Sequence, residues 1–262
     1  MTSILDWINV GEVSAERDKN LTHYFYDAGV SKEIIDNPKQ YLLLGRKGAG
    51  KTAVFLHLTR KPKELFEEAD IVVGLSLQSY NWQAHQLLID SQKEGGFQHR
   101  DSWRFVLSIE SIRAVVTHLQ DRELKIPKNL SKAAQVLESL FSKPVPSWTD
   151  LLGEKLYNLA SFELPGLDAS TDGISATGGA ISFEDLKEKR DLRTIMNRNI
   201  SALTNWLELC LKEIPSNIRI FLVFDRLDEA WTTSFIEESK TIISGLLHAS
   251  EHALEKFNGK IR

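Results

Sequence analysis

Eight consecutive residues carry the clearest chemistry in the chain: Gly45-Arg46-Lys47-Gly48-Ala49-Gly50-Lys51-Thr52. They satisfy the spacing G-x-x-x-x-G-K-[ST], in which glycines let the backbone wrap a phosphate while amide groups and a helix N-terminus solvate its charge. In that pattern Lys51 reaches the β- and γ-phosphates and the Thr52 hydroxyl ligates Mg²⁺, so the loop implies ATP and Mg²⁺ as its ligands. The competing reading is a glycine-rich turn that matches by accident. With glycine at about 7% of residues, a chance match in a chain of this length is on the order of one per cent. Arg46, Lys47 and Ala49 fill variable positions. Their backbone belongs to the wrap, and the two basic side chains fit a solvated face.

A magnesium ion held by one hydroxyl and phosphate oxygens needs a carboxylate at the end of a neighbouring buried strand. Ile220-Phe221-Leu222-Val223-Phe224 leads into Asp225, the first charge after five apolar residues, and so makes Asp225 the second expected metal ligand. Three and four residues further stand Asp228 and Glu229. Either could polarise an attacking water as general base; a helix-capping or solvated role competes for each, and the choice between them is open.

These residues need a scaffold. Tyr41–Leu44, Asp70–Leu77 and Ile218–Phe224 are short apolar runs suited to strands buried in a parallel sheet. A helix should follow the loop from Thr52 to about Leu58, and intervening helices make parallel pairing the expected arrangement. Residues 83 to 163 have helical periodicity broken by Pro127, Pro144 and Pro146, and Gly166–Gly179 reads as a loop or a small hairpin. Helical period returns from Ile195 to Ile214 and again from Phe235 to Phe257, where Asn258-Gly259 closes it. The fold class expected is α/β: a phosphate-loop NTPase core with a mainly parallel sheet and a large helical insertion between the second strand and the Asp225 strand. The divisions are 1–82 for the lead-in and first half of the core, 83–183 for the insertion, and 184–262 for the second half.

Composition sets bounds. The chain has 262 residues, 42% hydrophobic and 26% charged, with 32 basic against 36 acidic residues and a net charge of −4. That size supports a large core, and that balance gives no global attraction to nucleic acid or an anionic membrane. One cysteine, Cys210, cannot form an internal disulfide, and neither a signal peptide nor a membrane-length apolar run is evident, so a cytoplasmic location is expected. His248 and His252 lack the intervening glutamate of a zinc-protease helix and fit a helix face. The basic set Lys187, Lys189, Arg190, Arg193 and Arg198 fits a solvated helix face better than a nucleic-acid or γ-phosphate contact.

The stretch from Phe221 to Trp231 resembles the D-x-hydrophobic-D-E signature of STAND-type ATPases, including the NACHT group, and shares an Asp-x-x-Asp core with the KAP ATPases. Arg226 stands where those families carry a small or acidic residue. Val10–Glu16, Tyr24-Phe25, Leu42–Ala53 and Phe224–Trp231 together look like a group of bacterial AAA-like or STAND-like P-loop ATPases found in antiviral defence loci. The resemblance implies Mg-dependent ATP hydrolysis serving a regulatory or motor-like switch, with a homo-oligomer or a partner protein of the same system. A nucleotide-binding scaffold with negligible turnover, and a small-molecule kinase, are the alternatives. In such architectures another core strand follows the helix after the magnesium Asp, and it would begin at Lys260-Ile261-Arg262. The chain is therefore expected to be part of a longer protein, with sensor and arginine-finger residues lying beyond it and slow or absent hydrolysis by this segment alone.

Overall fold

A computed structural model of the chain describes residues 15–18, 21, 25–39, 41–78, 80–89, 93–142, 159, 190–227 and 236–262. In chain order the elements are α1 (Val30–Asp36), α2 (Lys51–Arg60), α3 (Pro62–Leu65), β1 (Ile71–Ser76), α4 (Trp82–Gln86), α5 (Arg100–Asp121), α6 (Lys128–Phe141), α7 (Arg190–Leu211), β2 (Ile220–Asp225) and α8 (Ile236–Lys256). The fold is mixed α/β, and β1 and β2 pair in parallel from Ile71 opposite Ile220 to Ser76 opposite Asp225. The far edge of β2 takes residues 260–262: the Ile220 amide donates to Lys260 O (2.7 Å), Arg262 N to Ile220 O (2.9 Å), and Leu222 N to Arg262 O (2.8 Å). Ile261 thereby forms an isolated parallel bridge with Ile220.

Alternation along the strands separates two faces. Ile71, Leu75, Ile220 and Leu222 join the main core with the long helices α5, α7 and α8, whereas Phe221, Val72 and Val223 meet Val54 and Leu58 of α2. The sheet is therefore sandwiched between α2 and a helical layer. Gly74 permits the close approach of α2, because a Cβ there would lie 2.9 Å from Thr59 Cγ2 and 3.1 Å from Phe55 Cζ. The glycine that weakens the strand pattern in sequence is what lets the helix seat against it.

The helical layer includes α5 and α6 from the segment expected to be an insertion, and both share the main core with β1 and β2. Trp103 of α5, fully buried, donates its indole N–H to Ile242 O of α8 at 2.8 Å. Arg104 forks onto Glu208 of α7 (2.9 and 2.6 Å), and Lys256 of α8 reaches the same carboxylate at 2.5 Å. One buried acid thereby joins three helices. Those bases hold the Glu208 carboxyl below its ordinary range despite the opposing effect of burial.

The expectation for Tyr41–Leu44 is corrected. This segment is irregular and exposed, Leu44 at 80%, and it makes no strand pairing among the described residues. Tyr41–Leu44 instead faces Phe221–Phe224 across a cleft of about 470 Å³. An apolar run specifies burial, but a strand also needs an adjacent edge for its hydrogen bonds.

Candidate phosphate-binding site

The loop Gly45–Gly50 runs directly into α2, whose first residue is Lys51. Gly48 and Gly50 adopt φ of +84° and +82°, left-handed values that a side chain would strain. The Ala49 amide donates to Arg46 O at 3.1 Å, and Lys51 Nζ donates to Gly45 O (2.8 Å) and Arg46 O (3.1 Å). The ammonium closes its own loop on carbonyl oxygens, the kind of acceptor a phosphate oxygen replaces with a full charge. All residues from Tyr41 to Lys47, and the three that follow, are exposed, including the Arg46 and Lys47 side chains expected on a solvated face.

Thr52, in the first turn of α2, meets the carboxylate at the end of β2: Oγ1 donates to Asp225 Oδ1 at 3.5 Å. Strand alternation explains the meeting. Asp225 shares parity with Phe221 and Val223, so it projects to the α2 side of the sheet. Its backbone is fixed as well, since Leu77 N donates to Asp225 O at 3.0 Å. Asp225 is only 8% exposed, and burial raises its carboxyl above the ordinary range; the Thr52 hydroxyl and the Arg226 amide pull the other way, while nearby Glu16 adds to the rise. A buried carboxyl group beside a hydroxyl is an all-oxygen pair of the kind that suits Mg²⁺, which keeps waters and takes its remaining ligands from phosphate. Among the described residues no group of three or more His, Cys, Asp or Glu converges to hold a metal, and Mg²⁺ in a triphosphate site needs none.

No protein-family model and no solved structure matches the chain. It is similar to the "Putative transposon gamma-delta 80.3 kDa protein" of Escherichia coli (strain K12), 23% identical over 246 residues. That alignment covers 92% of this chain and 31% of the Escherichia coli protein, so the chain spans under a third of the relative's length.

The expected site residues divide into three sets. Gly45 to Thr52 and Asp225 are brought to one end of the sheet. Asp228 and Glu229, the candidates for general base, lie outside the described residues, as do Gly166–Gly179, Lys187 and Lys189. His248 and His252 diverge: His248 stacks on Phe97 with ring centroids 4.2 Å apart, and His252 Nε2 lies 3.2 Å from Glu208 Oε1. Arg198 is exposed, as a solvated face requires. No helix of the described residues is long and apolar enough to cross a membrane.

Sequence reasoning missed the partner of Arg226. This residue, at φ +66° immediately after Asp225, pairs its guanidinium with the carboxylate of Glu16, 210 positions away. An unusual basic residue in the motif was visible, but its acid was not, because ion pairs at such separation leave no spacing signal. Also unforeseen is a buried polar chain packed against Trp103 of the main core. The Ser102 hydroxyl donates to His99 O (2.7 Å) and so accepts from His85 Nε2 (2.9 Å), which leaves His85 Nδ1 to accept from the Tyr80 hydroxyl. Burial pushes the His85 imidazole well down and that of His99 down to about 4.

Proposed function

We propose that the chain binds ATP with Mg²⁺ at Gly45–Thr52 and hydrolyses it as a regulatory or motor-like switch on a P-loop NTPase core. The observation that carries this reading is the meeting of Thr52 and Asp225, 173 residues apart in sequence and 3.5 Å apart in space, at the end of the sheet where the glycine loop enters α2. A glycine-rich turn matching by accident has no reason to face a buried carboxylate across a sheet edge.

In this reading the loop amides and the N-terminus of α2 solvate the phosphate charge, and Lys51 exchanges the Gly45 and Arg46 carbonyls for the β- and γ-phosphates. Thr52 and Asp225 hold the cation, whose chemistry when bound is to neutralise charge on the bridging and terminal phosphate oxygens. Asp228 or Glu229 orients the attacking water. The short stretches shared with ATPases of antiviral defence loci support placing the switch in such a system.

Calorimetric titration of Mg-ATP into the wild type and Lys51→Ala, with phosphate release measured in parallel, tests the proposal. Strong loss of affinity in the variant is expected; unchanged affinity refutes the assignment. Tight binding without release identifies instead a nucleotide-binding switch of negligible turnover.

A further inference from the structure

Asp225 is followed by a residue in an unusual conformation. Arg226 has φ +66°, the left-handed region that non-glycine residues enter only where their surroundings hold them. Arg226 follows Asp225 directly, so the turn that holds Arg226 also sets how the end of β2 presents its acid. Beyond the backbone, the Arg226 guanidinium is engaged by Glu16. Glu16 is in turn attached to α2: Arg60 Nη2 donates to Glu16 O at 3.4 Å, and Ala15 packs against the cluster of Leu21, Ala53 and Leu56.

The segment around Glu16 therefore grips both elements that supply the cation ligands, α2 with Thr52 and the end of β2 with Asp225. Resting on the Mg-ATP reading above, we infer that Glu16 is a positioning residue for the cation site: through its ion pair with Arg226 it braces the turn that aims Asp225 at Thr52. Glu16 acts through Arg226 and makes no metal bond of its own. Removing an outer partner of a metal-binding carboxylate weakens metal binding by about 10- to 100-fold.

A purely electrostatic role gives a different pattern. If Glu16 merely added negative charge near the cation, deleting Arg226 would unmask that charge and tighten Mg²⁺ binding. If the pair is a brace, deleting either partner loosens it.

The test uses the 262-residue chain and a fluorescent ATP analogue, titrated with Mg²⁺ and, separately, in EDTA, with thermal melting of each variant. For Glu16→Gln and for Arg226→Gln the Mg²⁺ concentration at half-maximal retention of the analogue should rise about tenfold, with no further rise in the double variant. Arg226→Lys, which keeps the pair, should stay near wild type. Metal-free binding and the melting temperature should be unchanged throughout. Tighter Mg²⁺ binding in Arg226→Gln, or no change in Glu16→Gln, overturns the inference. Loss of metal-free binding in Arg226→Gln also overturns it, by making Arg226 a phosphate contact. Wild-type binding without Mg²⁺ dependence overturns the cation-site reading itself, and is distinguished by a matching lack of effect in Asp225→Asn.

Discussion

Replacing Asp225 by Asn should separate the stability of the fold from the affinity of the site. Asp225 is buried, and its carboxyl is raised above the ordinary carboxylate range by that burial, so the ionised form is disfavoured in the folded chain. A raised value means the free protein is most stable below about pH 4 with respect to this group, and loses that contribution as pH rises through the folded value. Asn has nearly the same shape and no charge, so the free variant should melt at or above the wild-type temperature at pH 7. Ligand binding moves the other way. At Mg-ATP a hundredfold above Kd the wild type gains about 2.7 kcal/mol, or about 5–11 °C at roughly 2–4 °C per kcal/mol for a chain of this size. A tenfold loss of affinity cuts the gain to about 1.4 kcal/mol, and a hundredfold loss to about 0.4 kcal/mol, a shift of about 1–2 °C. Differential scanning fluorimetry with and without Mg-ATP reads both effects. A free variant that melts several degrees lower, or an undiminished shift with Mg-ATP, would refute the reasoning.

Other perturbations test the scaffold. Glu208→Leu takes the shared acid from Arg104, which keeps Asp101 and Asn205, and from Lys256, and should cost about 3 kcal/mol in urea unfolding; adding Arg104→Met should recover part of the loss, and a single-variant loss under about 1 kcal/mol would contradict the buried-pair account. Because Glu208 is held low, its contribution is present above the ordinary carboxylate range near pH 4.5 and is lost as pH falls through the folded value. His99, lowered from 6.5 to about 4, contributes stability that is present above pH 6.5 and is lost as pH falls toward 4, about 3 kcal/mol in all; His99→Leu should make the urea midpoint less steep over that range, the remaining slope including that of His85, and an unaltered slope would exclude it. Gly74→Val would drive a side chain against Thr59 and Phe55, costing about 1–3 kcal/mol and weakening Mg-ATP binding as α2 shifts; a variant with unchanged melting and affinity would show that α2 is not seated as described.

The parts of the molecule written in local pattern were legible before the structure. Asp70–Leu77 and Ile218–Phe224 correspond to β1 and β2 because an apolar run bounded by charge is a local property, and the helix after Gly50 follows directly from the loop. The juxtaposition of Thr52 and Asp225 was expected from the loop motif and the buried strand, and the shared parity of Asp225 with Phe221 and Val223 explains how the fold brings them together. Tyr41–Leu44 shows the opposite case: four apolar residues have the composition of a strand, but pairing depends on where another edge lies, which no window of the chain encodes. The Glu16–Arg226 and Arg104–Glu208 pairs were hidden for the same reason. Each links positions about a hundred or more apart, so only the packed chain reveals them.

The two walls of the candidate site differ in how they are held. Asp225 sits at the end of a strand laddered to β1, with its own carbonyl held by Leu77 N, whereas residues 41–50 are exposed and the phosphate loop is closed chiefly by Lys51 on its own carbonyls. A ligand entering between a laddered wall and an exposed one does its ordering work on the exposed side. Nucleotide occupancy should therefore be written in the amide exchange of the glycine loop while the strand amides beside Asp225 stay silent. The acid serves as a fixed reference, and the loop becomes the moving hand that reports whether the site is filled.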